Sequence, residues 1–95
     1  MTYPNTPGHQ NTDTSKAAAD AIEASLGHLQ RMVLDAIRDA GSDGMTADEV
    51  AQKLRLSQLT VRPRATELAR RGLVIDGGTR RKNESGRSAI VWEAA

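Results

Sequence analysis

Side chains able to hold an anion are concentrated in two short stretches of this 95-residue chain. One, SQLTVRPRATELARR, carries Ser57, Gln58, Thr60, Arg62, Arg64, Thr66 and Arg70. The other, TRRKNESGR, carries Arg80, Arg81, Lys82 and Arg87 against one acid, Glu84. A guanidinium can donate two parallel hydrogen bonds to guanine, and a glutamine amide can pair with adenine. Hydroxyls and the free N–H groups of a helix start suit phosphate oxygens. Basic side chains on a loop neutralise phosphates and release counterions, which adds affinity and salt sensitivity. The chemistry offered is recognition of a polyanion.

Charge is distributed accordingly. The formal net charge is only +1. Residues 1–52 hold three basic groups (Lys16, Arg31, Arg38) against eight acidic ones, a net of −5. Residues 53–95 hold ten against four, a net of +6. Such polarity orients a molecule toward a polyanion although the total is near zero.

Other functions are poorly served. Without cysteine there is neither a disulfide frame nor a thiolate zinc site. His9 and His28 stand alone and read as solvent-facing, so no metal and no cofactor is expected. The serines read as cap and loop residues, and the acids fall on polar helix faces. Gly77–Gly78 lacks the strand-to-helix setting of a nucleotide fingerprint. The expectation is therefore no enzyme activity. Single-stranded nucleic acid is bound largely by aromatic platforms, and the only rings are Tyr3 and Trp92. No apolar run approaches the ~20 residues that span a bilayer. MTYPNTPGHQNTD lacks the layout of a signal peptide. A cytoplasmic protein without membrane contact is expected.

The elements that must position these residues can be read from periodicity. Residues 1–13 have none and are expected to form a disordered tail. Asp13, Thr14 and Ser15 offer N-caps for an Ala-rich accessory helix over 14–26, with a break at Gly27. Leu29, Met32, Val33, Ala36, Ile37 and Ala40 draw one apolar stripe on a helix from about His28 to Ala40. Thr46 and Glu49 fit a capping box ahead of a short helix that buries Ala47, Val50, Ala51 and Leu54. Met45 can form a brief strand before it. A tight connection, RLS, leads to Ser57, the cap of a helix ending at Gly72 with Val61, Ala65 and Leu68 inward. Its outward positions include Gln58, Leu59, Arg62, Pro63, Thr66 and Arg70, with Arg64 on the flank, within reach of a nucleic-acid backbone. Pro63 demands either a start near Thr60 or a kink. LVID (73–76) and SAIVWE (88–93) are β-prone, and 77–87 reads as a long polar loop projecting between them.

LSQLTVRPRATELARRGLV resembles the recognition-helix stretch of bacterial winged-helix repressors of the GntR and MarR type, through Leu56, Ser57, Thr60, Val61, Arg62, Leu68, Gly72, Leu73 and Val74. MTADEVAQKLRLS resembles their first helix-turn-helix helix. The resemblance covers about residues 29–92. It implies that Ser57, Gln58, Thr60 and Arg62 contact DNA and that the basic residues of 79–87 form a wing. Gln58, where GntR proteins often have Arg, and Pro63 depart from the pattern. With no effector domain, the short form is similar to small winged-helix proteins of phages and prophages.

The expected architecture is α+β and mainly α: a winged helix-turn-helix of three core helices and a C-terminal β-hairpin wing over 27–95, with the accessory helix before it. The expected partner is double-stranded DNA, bound through recognition-helix residues Ser57, Gln58, Thr60, Arg62, Arg64, Thr66 and Arg70 and wing residues Arg80, Arg81, Lys82 and Arg87. A transcription regulator or an accessory factor of phage DNA metabolism would use such a module. The alternative is a winged helix that binds proteins and no DNA. Residues 14–26 offer a surface for a second copy or a partner protein.

Overall fold

A computed structural model describes residues 17, 18 and 20–95. The expected tail over 1–13, the cap candidates Asp13, Thr14 and Ser15, and His9 lie outside the described residues. The chain is helical at 17, 18 and 20–24 (α1), then forms α2 (His28–Ala40), a 3-10 turn (Gly41–Asp43), α3 (Ala47–Leu54) and α4 (Gln58–Arg70). A two-stranded antiparallel hairpin follows, β1 (Val74–Lys82) and β2 (Ser88–Ala94). This is the α+β winged-helix plan.

One aliphatic core joins these elements. With no Phe in the chain, Val33, Leu34, Ile37, Val50, Val61, Leu68 and Val74 fill it, all essentially inaccessible to solvent. Leu34 adds a position beside the expected stripe: α2 packs against α3, α4 and β2, so its apolar face is wider than a single row. On α4 the expected Val61, Ala65 and Leu68 are the buried positions. Ile22 and Leu26 pack on the core, Arg38 donates to the Glu23 carboxylate at 2.7 Å, and Arg71 donates to the Ser25 hydroxyl at 2.8 Å. These contacts dock the α1 segment on the domain, with Ile22 and Leu26 turned inward. Ala17, Ala18, Ala21 and Ala24 remain exposed.

Helix ends are set by specific side chains. The Thr46 hydroxyl accepts from the Glu49 N–H at 3.1 Å, and the Glu49 carboxylate accepts from the Thr46 N–H at 2.9 Å, a reciprocal capping box. The connection from α3 to α4 is three residues, Arg55–Ser57. Arg55 sits there at φ 58, ψ 42, the left-handed conformation usually given to glycine. The Leu56 N–H returns to the Ala51 carbonyl at 2.9 Å, which closes the helix. Ser57 caps α4 by accepting from the Leu59 N–H. Pro63 does not delay the start of α4 to Thr60: the helix runs from Gln58 through Pro63, and the Leu59 carbonyl loses its helical donor.

The hairpin differs from the long loop expected over 77–87. Asp76 pairs with Trp92 and Arg80 with Ile90, so Gly77, Gly78 and Thr79 lie opposite Val91 alone as a bulge. Gly78 takes φ 86, and its N–H donates to the Asp76 carboxylate at 2.9 Å. Pairing then resumes through Lys82, and only the short tip remains unpaired. Asn83 N–H donates to the Arg87 carbonyl at 2.8 Å, and Gly86 N–H to the Asn83 carbonyl at 2.9 Å. Backbone pairing across residues 80–90 turned most of the expected loop into strand. In place of the brief strand expected at Met45, this single residue makes an isolated antiparallel bridge to Trp92, with bonds of 2.9 and 2.8 Å. Gly44 makes this approach possible, since a Cβ there would strike Val91 and the Trp92 carbonyl.

Candidate nucleic-acid interface

α4 lies with one face sealed into the core and the opposite face open: Gln58, Leu59, Arg62, Pro63, Thr66 and Arg70 are all exposed. The hairpin tip stands beside this face. Arg62 and Thr66 share one cleft of 340 Å³ with Arg87, and Ile90 and Trp92 also line it. Gln58 shares a second, of 180 Å³, with Lys82 and three carboxylates, Asp48, Glu49 and Glu84. α4 and the hairpin therefore border two adjoining clefts, with Asp48 and Asn83 lining both.

Arg62 is the most extensively hydrogen-bonded cation lining these clefts. Its Nε donates to Asp48 Oδ1 at 3.1 Å, and its Nη2 reaches Oδ1 at 3.0 Å and Oδ2 at 3.1 Å. Nη2 also approaches Gln58 Oε1 at 3.3 Å. The Asp48 side chain is 11% exposed and that of Arg62 is 51% exposed. A nearly buried carboxylate in the first turn of α3, where the helix dipole favours an anion, thus grips a guanidinium that still faces solvent.

The remaining expected site residues of α4 differ in their surroundings. Ser57 and Thr60 lie at the start of α4, Ser57 committed to its cap and Thr60 half-buried. The Thr66 hydroxyl donates to the Arg62 carbonyl at 3.2 Å. Arg64 does not reach outward from the flank. It is half-buried on the side of α4 that meets α2, 3.2 Å from the Glu67 carboxylate, which also accepts from Gln30 Nε2 at 2.9 Å. An arginine following Pro63 by one position turns toward the neighbouring helix, because successive helical residues do not share a face. Arg70 is exposed at the far end of the helix.

On the hairpin, Arg80 and Arg81 fold back onto the protein. Arg80 grips both oxygens of Asp76 at 2.9 Å. The Arg80 guanidinium and the Gly78 N–H together hold the Asp76 carboxyl below the usual carboxylate range. Arg81 donates to Glu49 at 2.6 Å and to the Asp43 carbonyl at 3.0 Å, tying the hairpin to α3. Lys82 and Arg87 are exposed, and among the described residues neither forms an ion pair.

Asp48 and Glu49 carry roles that their sequence context hid. Asp48 reads as an acid on the polar face of a short helix and Glu49 as a capping-box residue, yet they orient Arg62 and Arg81 from 14 and 32 positions away. Only the tight α3–α4 turn and the hairpin fold-back bring these pairs together. Among the described residues no group of His, Cys, Asp and Glu is placed to hold a metal ion, and no helix is long and apolar enough to cross a membrane.

Comparison with curated proteins finds no match. The family model described as the C terminal of replication protein A matches residues 1–76, which spans the accessory segment, all of the helix-turn-helix and the first residues of the hairpin. The match supports the winged-helix plan, and it does not extend to the GntR and MarR repressors. The chain belongs to the replication protein A C-terminal family.

Proposed function

We propose that this winged-helix domain binds double-stranded DNA, with α4 against the major groove and the hairpin tip on the adjoining backbone, and catalyses nothing. The observation that carries this reading is the pair of adjoining clefts: Arg62 and Thr66 of α4 and Arg87 of the tip line one, and Gln58 and Lys82 line the next. A helix held rigidly on one face and cationic on the other suits the groove, and a basic tip beside it suits phosphate. Membership of the replication protein A C-terminal family favours an accessory role in DNA metabolism over control of transcription.

Because Arg80, Arg81 and Arg64 are held by internal carboxylates, the number of phosphates neutralised is smaller than the basic count suggests. About three to five contacts would give a slope of log K against log salt of roughly −3 to −4.5. Fluorescence anisotropy with a labelled duplex at increasing salt tests this. Binding that weakens along such a slope, and weakens further in Arg62→Ala with the fold intact, supports the reading. No binding at low salt overturns it.

A second reading, docking of a partner protein, is favoured by two observations. Leu59 is 80% exposed at the start of α4, an apolar side chain in the middle of the polar face. The family is also one of DNA-replication proteins and protein–protein interaction. Leu59→Ser separates the two: it should leave duplex affinity within about twofold while abolishing a protein contact centred on α4.

A further inference from the structure

We infer that Asp48 is the specificity-determining residue of the interface: it holds Arg62 as a reader of guanine and withholds it from phosphate. The inference rests on the duplex-binding reading above and concerns what that site selects.

Asp48 is nearly buried, and Arg62 is the polar partner its carboxylate reaches. The grip uses Nε and one side of Nη2. What remains for the clefts is the end of the guanidinium, the Nη1 donors and the outer Nη2 hydrogen, the last now resting on Gln58 at 3.3 Å. Two parallel donors at that end match the O6 and N7 acceptors of guanine. A bond of 3.3 Å to an exposed amide is weak and readily exchanged. The fork is ordered before DNA arrives, so less side-chain freedom is lost on binding.

The same carboxylate opposes non-specific binding. An anion lining the clefts repels the phosphate backbone, and an arginine already paired has little to gain from a phosphate oxygen. Discrimination built this way includes a repulsive element aimed at the wrong ligand. A positively charged helix face without Asp48 would bind any duplex, whereas the pair favours a duplex that places guanine opposite Arg62.

The isosteric variant Asp48→Asn tests this, measured beside the wild type against three duplexes. One is a sequence selected from random duplexes for binding, the second replaces its contacted guanine with adenine, and the third is mixed sequence. The wild type should prefer the guanine duplex roughly five- to hundredfold, the range of one bidentate contact. Asp48→Asn should lose most of that preference yet bind the mixed duplex more tightly, with its salt slope steeper by about 0.9 as Arg62 is released to a phosphate. Arg62→Lys, which keeps the charge and loses the fork, should lose the preference while holding mixed-sequence affinity within about twofold. Circular dichroism and thermal melting verify the fold of both. A residue that only braced the fold would lower all three affinities together. Unchanged preference and slope in Asp48→Asn, or uniform weakening, overturns the role of Asp48 and leaves duplex binding standing; failure of the wild type to bind any duplex overturns both.

Discussion

α4 and the hairpin are the two cationic regions of the molecule, and they handle charge differently. α4 is fixed along its length by Val61, Ala65 and Leu68 in the core, and its Arg62 is gripped by a carboxylate that is itself nearly buried. The hairpin is anchored at its base, by Val74, Val91 and the Met45–Trp92 bridge, and its Arg80 pairs with a half-exposed Asp76 on the same strand. Beyond that base it extends Lys82 and Arg87 into solvent. Equal numbers of arginines therefore leave one guanidinium held by a nearly buried carboxylate on α4, and exposed cations, unpaired among the described residues, at the tip of a hairpin tied to α3 through Arg81 and Glu84. An exposed ion pair such as Arg80–Asp76 contributes little to stability; its effect is to shape the bulge and to remove one cation from the surface.

This contrast can be broken most strongly at the core of α4. Leu68→Ala should lower unfolding stability by about 2–5 kcal/mol, seen in urea melts, because the site is fully enclosed and the cavity cannot collapse. The helix-turn-helix rests next on the cap of α3. Thr46→Ala removes a buried acceptor and should lower stability by about 0.5–2 kcal/mol.

Much of this framework was legible in the sequence. The His28–Ala40 stripe, the Thr46/Glu49 box and the Ser57 cap are local patterns, and local patterns survive folding. What was not legible depends on distant partners. The 77–87 segment reads as a loop because glycines and charges obscure its pairing with 88–94, which is visible only once β2 is in register. Arg64 reads as a flank residue within reach of a nucleic-acid backbone because its contact with Glu67 and its partial burial depend on where α2 lies. Asp48 reads as a solvated acid because its partner comes after a turn whose angle no single residue specifies.

The wing side of the comparison is sharpened by charge removal. Lys82→Ala and Arg87→Ala should each reduce the salt slope of duplex binding by about 0.9 and weaken all sequences alike, with no measurable change in melting temperature. The smallest effect concerns pH. Arg80 lowers the folded-state value of Asp76, so the contribution of this pair is complete above the unfolded value and is lost as pH falls through the lower folded one. The Arg80–Asp76 contact at the bulge should therefore be insensitive to pH from neutrality to the ordinary carboxylate range. Carboxyl chemical shifts of Asp76 should titrate below that range, and those of Glu23, held down chiefly by its hydrogen bond from Arg38, should do the same.

The claim that α4 and the hairpin tip engage one duplex together is tested most directly by following backbone amide resonances during titration with duplex DNA. Amides of 57–66 and 82–88 should shift in concert and saturate at one stoichiometry, while the solvent face of α2, around Asp35 and Asp39, stays unmoved. Shifts centred on α1 and α2, or a response from the tip alone with α4 silent, would contradict it.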